Sequence, residues 1–128
     1  VVFAEQADSP ARLIETTHGT NDFLVSAKLK NQSSRAILSY RIGWAYIGLG
    51  KKPDVRYGMW MNVPASIAPN SICDVPDQNV PPNLDANLTV FFVAEIKFVD
   101  KTSWHVNVKD IITEAKLANK SLVSTNHE

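Results

Sequence analysis

The amino-acid sequence predicts an all-β fold, an antiparallel two-sheet β-sandwich of about seven to eight strands followed by a short C-terminal helix. Two observations support this prediction. Long segments alternate apolar with polar residues, which is the period of a strand with one buried face. Glycines, prolines and short polar runs separate about seven such segments, and none of the long ones has the helical period of about 3.6 residues.

The first two long strands are predicted within residues 22–48, with a polar turn at residues 31–35 between them. Short polar side chains in the turn can bond their own backbone, which ends one strand and reverses the chain. Alternation then predicts the buried side chains: Phe23, Val25, Ala27 and Leu29 in the first strand, and Leu38, Tyr40, Ile42, Trp44 and Tyr46 in the second. Truncation of a buried Trp44 is expected to cost about 3–5 kcal/mol.

A third long strand is predicted over residues 88–99, followed by a hairpin partner at residues 104–108. Glu95 and Lys97 point outward in this prediction, and so does His105. Asp110 is expected to cap a short helix at residues 111–119, and residues 120–128 are expected to be mobile. The side chains predicted to face the core are Val90, Phe92, Ala94, Ile96 and Phe98, with Trp104, Val106 and Val108 in the partner strand.

Length and composition limit the classes of protein that remain. The 128 residues suit one domain, and a single cysteine, Cys73, excludes an internal disulfide. Lys plus Arg and Asp plus Glu each number 13, without a basic run, so we expect no nucleic-acid partner. No segment approaches the roughly 18 apolar residues of a membrane span.

We divide the chain into an N-terminal segment or edge strand at residues 1–9, the sandwich at 10–108, and a helix with a flexible tail at 109–128.

The N-terminal residues allow two interpretations. Val2 and Ala4 are small residues at positions −3 and −1 of a signal-peptidase site before Glu5, which would indicate export. The alternative is a short edge strand.

The middle of the chain is predicted to be more irregular. In a strand over residues 55–61, alternation places Tyr57, Met59 and Met61 on one face and Trp60 on the other, and Gly58 is a candidate for a bulge. The prolines of residues 63–70 suit an edge strand or a connection. Residues 76–83 contain three prolines and are predicted to form an exposed loop outside the sheets.

A candidate interaction surface combines that strand with that loop. Its residues are Met59, Trp60, Met61, Gln78, Asn79 and Asn83. If the two methionines and the tryptophan are exposed, they form an adaptable apolar patch for a partner or ligand. If they are buried, they belong to the core, which is the commoner position for a tryptophan.

Chemical sites are weakly indicated. Met59, Met61, Cys73 and His105 could form a copper site, because soft sulfur ligands select copper, but blue-copper sites need a second histidine. A Cys73–His105 dyad has no supporting motif, and we predict no catalytic residue and no cofactor. Glycosylation patterns begin at Asn31, Asn87 and Asn119, and we interpret Asn31 as a turn residue.

The patterns Val25-x-x-x-Leu29-x-Asn31-x-Ser33, Ile37-x-x-Tyr40-x-Ile42-x-Trp44 and Phe98-Val99-Asp100-x-x-x-Trp104 resemble those of bacterial immunoglobulin-like or fibronectin-like domains. The resemblance covers residues 10–108. It implies an immunoglobulin-like sandwich in which Trp44 is the buried tryptophan of the third strand. It also implies a spacer, adhesion or assembly role without chemistry of its own. Antibody domains proper are a poorer match, since the inter-sheet disulfide and the corner tyrosine are missing.

The expected function is therefore a non-catalytic module of an exported bacterial protein. Such a module would bind another protein or a second copy of itself through strand edges, or act as a spacer. A small-ligand or copper carrier that uses Met59, Trp60 and Met61 is one alternative, and an enzyme of unknown reaction is another.

Overall fold

The structure is a computed structural model, and it describes residues 2–6, 8–19, 24–48, 52–81, 86 and 88–126. Predictions for Phe23, Asn83 and Asn87 fall outside these residues. The elements are β1 (Val2–Phe3), β2 (Ala11–His18), β3 (Leu24–Asn31), β4 (Ile37–Ile47), β5 (Asp54–Ile67), β6 (Ile72–Asn79), β7 (Leu88–Phe98), β8 (Ser103–His105) and α1 (Val108–Asn126).

The strands form two sheets, which confirms the predicted two-sheet β-sandwich with a C-terminal helix. The smaller sheet has the order β2-β3-β6. The larger sheet has the order β1-β7-β4-β5, and β8 also pairs with β7. All pairings are antiparallel except that of β1 with β7. Among the described residues no helix has the length and apolar character needed to cross a membrane.

Two apolar cores lie on opposite faces of the larger sheet. The first fills the space between the sheets and includes Leu13, Val25, Leu29, Tyr40, Ile42, Phe91, Val93, Ile96 and Phe98. The second lies between the larger sheet and α1, where the sheet contributes Ala45, Ile47, Val90, Phe92 and Ala94, and Ala4, Ile111 and Ala115 pack onto them. The outer face of the larger sheet is the one that points away from the smaller sheet. We call the part of it that lies beneath α1 the covered half.

The predicted inward face of β7 is wrong for its first part. Val90, Phe92 and Ala94 face α1, whereas Phe91 and Val93 face the other sheet. A β-bulge explains the change of face: Arg41 pairs with Glu95 but the next residue, Ile42, pairs with Val93, so Ala94 is an extra residue. Beyond the bulge Ile96 and Phe98 face the inter-sheet core, as predicted.

A similar bulge corrects the prediction for β4. Leu38 was expected to be buried, but it lies between the paired residues Ile37 and Ser39 as an extra residue and is 49% exposed. Trp44 is half-buried against the inter-sheet core, where its Nε1 donates a hydrogen bond to the Tyr46 hydroxyl at 3.1 Å. Truncation of Trp44 should therefore lower the free energy of unfolding by less than the roughly 3–5 kcal/mol expected for a fully buried tryptophan.

In β5 the bulge that Gly58 suggested is present. Gly43 pairs with Tyr57 and Arg41 pairs with Trp60, so β5 has one residue more than β4 in this interval. Tyr57 and Trp60 consequently share the outer face of the larger sheet. Met61 pairs with Tyr40 and packs on the inter-sheet core, so the prediction that Tyr57 and Met61 share a face is wrong.

Part of the predicted proline loop belongs to a strand. Residues 76–79 lie in β6, which pairs with β3 up to Asn79. Pro76 falls where Val75 pairs with Ala27 and Gln78 pairs with Val25, so it occupies a bulge. Because β6 is an edge strand, Pro76 removes no necessary ladder bond.

The helix begins earlier than predicted. Asn107, not Asp110, caps it: its side-chain oxygen accepts from the Lys109 N–H at 3.1 Å, and its carbonyl accepts from the Asp110 N–H at 3.1 Å. The helical backbone continues to Asn126, through much of the tail that we expected to be mobile.

Residues 2–6 follow the edge-strand interpretation. The Phe3 ring meets the Phe91 ring edge-on, with centroids 5.8 Å apart. The Gln6 side chain then replaces a strand partner, since its amide donates to the Val93 carbonyl and accepts from the Val93 N–H, each at 2.8 Å.

Candidate functional site

The structure separates the residues of the predicted interaction surface. Met59 is 81% exposed at the β5 edge, and Trp60 lies on the outer face of the larger sheet. Met61 packs inward. Gln78 and Asn79 lie in β6 of the other sheet, and Asn83 is outside the described residues. Of the predicted set, Met59 and Trp60 remain as neighbours on an accessible surface.

A row of side chains crosses the larger sheet at the level of Trp60. Strand pairing places Trp60 beside Arg41, Arg41 beside Glu95, and Glu95 beside His105. The row therefore runs over β5, β4, β7 and β8 with neighbours about 4.8 Å apart. Together with Lys97, these residues form what we call the open half of the outer face, since α1 packs on the covered half.

Two cations contact the Trp60 ring. The Arg41 guanidinium carbon lies 4.6 Å from the ring centroid, and the Lys97 Nζ lies 4.2 Å from it. Both distances are within the range of cation–π attraction, which favours a positive charge over the electron-rich face of indole. The tryptophan and the two cations thus form one cluster.

Glu95 balances part of this positive charge. Its carboxylate lies 3.8 Å from Arg41 Nη1 and 3.6 Å from His105 Nδ1. Each distance is longer than a direct hydrogen bond. Arg41 therefore keeps free donors, and among the described residues its buried Nε has no partner. The cluster can therefore donate hydrogen bonds to acceptors on another molecule and attract its negative charge.

We define the Trp60 surface as Tyr57, Met59, Trp60, Arg41 and Lys97. Tyr57, Met59 and Lys97 are exposed, and Trp60 and Arg41 are partly buried. Tryptophan, tyrosine, arginine and methionine are the residue types enriched in protein–protein interfaces.

A second surface lies at the opposite end of the row. His105 lines a cleft of about 470 Å³ between residues 5–6 and 8–9, β8 and the start of α1. Among the described residues, four carboxylates and no lysine or arginine line the cleft. We call these carboxylates, Glu5, Asp8, Asp110 and Glu114, the acidic rim. A more apolar cavity of about 330 Å³ adjoins it and shares Glu5, Ile111 and Glu114.

The proposed copper ligands do not converge. His105 lies on the outer face of the larger sheet, whereas Met61 and Cys73 pack toward the inter-sheet core. Burial raises the pKa of the Cys73 thiol, and the nearby Asp74 adds to the effect, so the thiol resists ionisation. In the part of the chain that the structure describes, no three His, Cys, Asp or Glu side chains are arranged to hold a metal ion.

Asn31 has a structural position. It is fully buried, and its amide donates to the Arg35 carbonyl at 2.7 Å and to the Ile67 carbonyl at 2.9 Å. Its side-chain oxygen accepts from the Ser33 N–H at 3.0 Å, which agrees with the predicted turn role. Burial leaves no room for a glycan on this side chain.

Sequence reasoning identified Trp60 but missed Arg41 and Lys97. These three residues lie in different strands, and their proximity depends on the register of β4 with β5 and β7. The only sequence signal was that Arg41 and Lys97 are charged residues on predicted outward faces.

Comparison with known proteins found no match to this chain among protein-family models, curated proteins or solved structures. The function must therefore be argued from the chain's own surfaces.

Proposed function

We propose that this chain is a protein-binding module with an immunoglobulin-like or fibronectin-like fold and no catalytic activity of its own. It docks a partner protein through the Trp60 surface. The observation that carries the proposal is the Trp60 ring on the open half of the sheet with two cations, Arg41 and Lys97, against it.

The chemistry of the Trp60 surface suits an interface. Tryptophan, tyrosine and arginine supply large contact areas and directional donors, and they dominate the energetics of most interfaces. Met59 adds a flexible apolar side chain that can adapt to a partner. A partner that covers this surface would remove apolar area from water, and its acceptors could take hydrogen bonds from Arg41.

Strand order supports the proposed fold family. Counting from β2 as the first strand, the smaller sheet contains the first, second and fifth strands, and the larger sheet contains the third, fourth, sixth and seventh. Immunoglobulin-type sandwiches likewise join the first, second and fifth strands in one sheet and the third, sixth and seventh in the other. Trp44 lies on β4, the third strand in this count, but it is half-buried, whereas the resemblance implied a buried tryptophan.

The docking route is a sheet face in preference to a strand edge. Three of the edge strands that the structure describes, β2, β5 and β6, contain a register shift, at residues 15–16, 58–59 and 76–77. Bulges twist an edge and interrupt its row of backbone donors and acceptors, which discourages the addition of another strand. Side chains on the outer face are then the better route.

We also propose that the module is exported by a bacterium, on the basis of Val2 and Ala4 before Glu5. Phe3 packs against Phe91, so cleavage before Glu5 would remove β1 from the fold. Sequencing the N-terminus of protein recovered outside the cytoplasm decides the point. A start at Glu5 supports cleavage there, and recovery only from the cytoplasm contradicts export.

Selection from a phage-displayed peptide library tests the proposed surface. Peptides selected on the wild-type chain should bind it and fail to bind Trp60→Ala. The matched control is Ile72→Ala, which removes a side chain that is 51% exposed on the smaller sheet and should leave binding intact. Selection that yields no binders, or binders that tolerate Trp60→Ala, contradicts the proposal.

A further inference from the structure

We infer that the partner of the Trp60 surface is a second copy of this chain, which presents its acidic rim to Arg41 and Lys97. The inference rests on the proposed function, because it names the occupant of the same surface. Every copy carries two regions of opposite charge that can meet.

The first region is positive and has unused donors. Arg41 and Lys97 contact the Trp60 ring, and the nearest carboxylate to Arg41, that of Glu95, is 3.8 Å away. Among the described residues no ion pair involves Lys97. A carboxylate from another molecule could accept from both side chains, and the indole would shield the contact from water.

The second region is negative and, among the described residues, forms no ion pair with lysine or arginine. All four carboxylates of the acidic rim are exposed, and within the described residues none has a lysine or arginine nitrogen within 4.0 Å. Lys109 and Lys116 are on α1 but do not line the cleft. Four like charges around one cleft repel each other, and a cationic surface that covers them relieves this repulsion.

The helix also raises part of the acidic rim above the plane of the larger sheet. A helix on a sheet adds a layer about 10 Å thick, so the covered half stands above the open half. The start of α1 bears Asp110 and Glu114 on this raised layer, and Glu5 lies beside it, as the hydrogen bond from the Glu5 N–H to Glu114 Oε1 at 3.3 Å indicates. In a second copy the carboxylates at the start of α1 can be placed against the open half, where no helix covers the sheet.

Overall charge does not oppose association. The formal net charge at pH 7 is zero, so two copies have no net repulsion while their oppositely charged regions attract. Since each copy carries both regions, contacts can close into a symmetric dimer or ring, or continue from copy to copy. The charge pairing is the same in all of these arrangements.

Sedimentation velocity with charge-reversal variants tests the inference. The wild-type chain should sediment faster than a monomer at an ionic strength of about 0.01 M and as a monomer at about 1 M, where charges are screened within about 3 Å. Lys97→Glu and Glu114→Lys should each be monomeric alone, and an equimolar mixture of the two should associate again. Lys30→Glu makes the same charge change on the smaller sheet and should associate like the wild type.

The mixture also controls for folding, because misfolded variants would not restore association. A wild-type chain that is monomeric at low ionic strength overturns the inference, and so does association that both charge reversals leave intact. If the chain is monomeric but Trp60→Ala still abolishes binding of the selected peptides, the proposed function stands and only the second copy is excluded.

Discussion

The covered and open halves of one sheet face differ in chemistry although the same strands build both. In the covered half Phe92 and Ala45 are buried beneath α1. In the open half Arg41 and Glu95, on the same two strands β4 and β7, form the charged row with Trp60. A strand in this fold therefore has no single chemical character along its length.

The change from one half to the other occurs at bulges. Ala94 is the extra residue in β7, and Gly58 and Met59 span the extra position in β5. Beyond each bulge, the alternation of side chains between the two faces of the sheet is shifted by one residue. Apolar residues then point into the inter-sheet core, and charged residues point to the outer face. The open half therefore begins where the bulges occur.

The largest effect should come from Phe92→Ala in the covered half. Phe92 is fully buried beneath α1, and loss of its ring leaves a cavity that the sheet and the helix cannot easily fill. We expect the free energy of unfolding to fall by about 3–5 kcal/mol in urea titrations. A loss below about 1 kcal/mol would mean that α1 does not pack on this face.

Gly43→Ala adds a methyl group within the covered half and tests how tightly it is packed. A Cβ at Gly43 would lie 2.9 Å from Phe92 Cε2 and 3.2 Å from the Arg56 carbonyl oxygen. The ring must move beneath α1, so we expect a loss of about 1–3 kcal/mol in the same titrations. An unchanged or higher stability would show that the ring is not held against β4.

Trp60→Ala in the open half should affect stability much less than Phe92→Ala. Its ring contacts the exposed side chain of Lys97 and the partly exposed one of Arg41, and it fills no core. We expect a loss of about 1 kcal/mol or less. A loss equal to that of Phe92→Ala would identify Trp60 as a core residue and contradict the assignment of this surface to binding.

The smallest effect concerns the turn that ends β7 beyond the open half. The Thr102 hydroxyl and the Thr102 N–H both donate to Asp100, and these bonds hold the pKa of Asp100 below its ordinary value of about 3.9. A lowered pKa stabilises the fold above the unfolded-state pKa, and this contribution is lost as the pH falls through the folded-state pKa. Asp100→Asn should therefore lower stability slightly at pH 7, and urea titrations should show the difference from wild type vanish in acid. A difference that grows as the pH falls would contradict this sign.

The two-sheet sandwich could be predicted from alternation, because burial on one face imposes a period of two. The faces of individual residues could not be predicted beyond a bulge: one extra residue at Leu38 or Ala94 has no distinctive side chain, yet it inverts the pattern that follows. At Pro76 a loop was predicted where a strand forms. Proline excludes a central strand but is tolerated in an edge strand such as β6.

The candidate site was predictable only at Trp60 and Met59. Arg41 and Lys97 join them through the register of three strands, and sequence alternation carries no information about which residues become neighbours across strands. The acidic rim joins residues that are even farther apart in the sequence, because Glu5 and Asp8 lie beside α1. Such proximity follows from topology and not from local pattern.

Hydroxyl-radical footprinting by mass spectrometry tests the division of the outer face most directly. Each residue's oxidation rate in the native chain is divided by its rate in the urea-unfolded chain. We predict a ratio near one for Met59, a clearly reduced but measurable ratio for Trp60, and strong protection for Phe92. Protection of Trp60 equal to that of Phe92, or oxidation of Phe92 at its unfolded rate, would contradict the account of one covered and one open half.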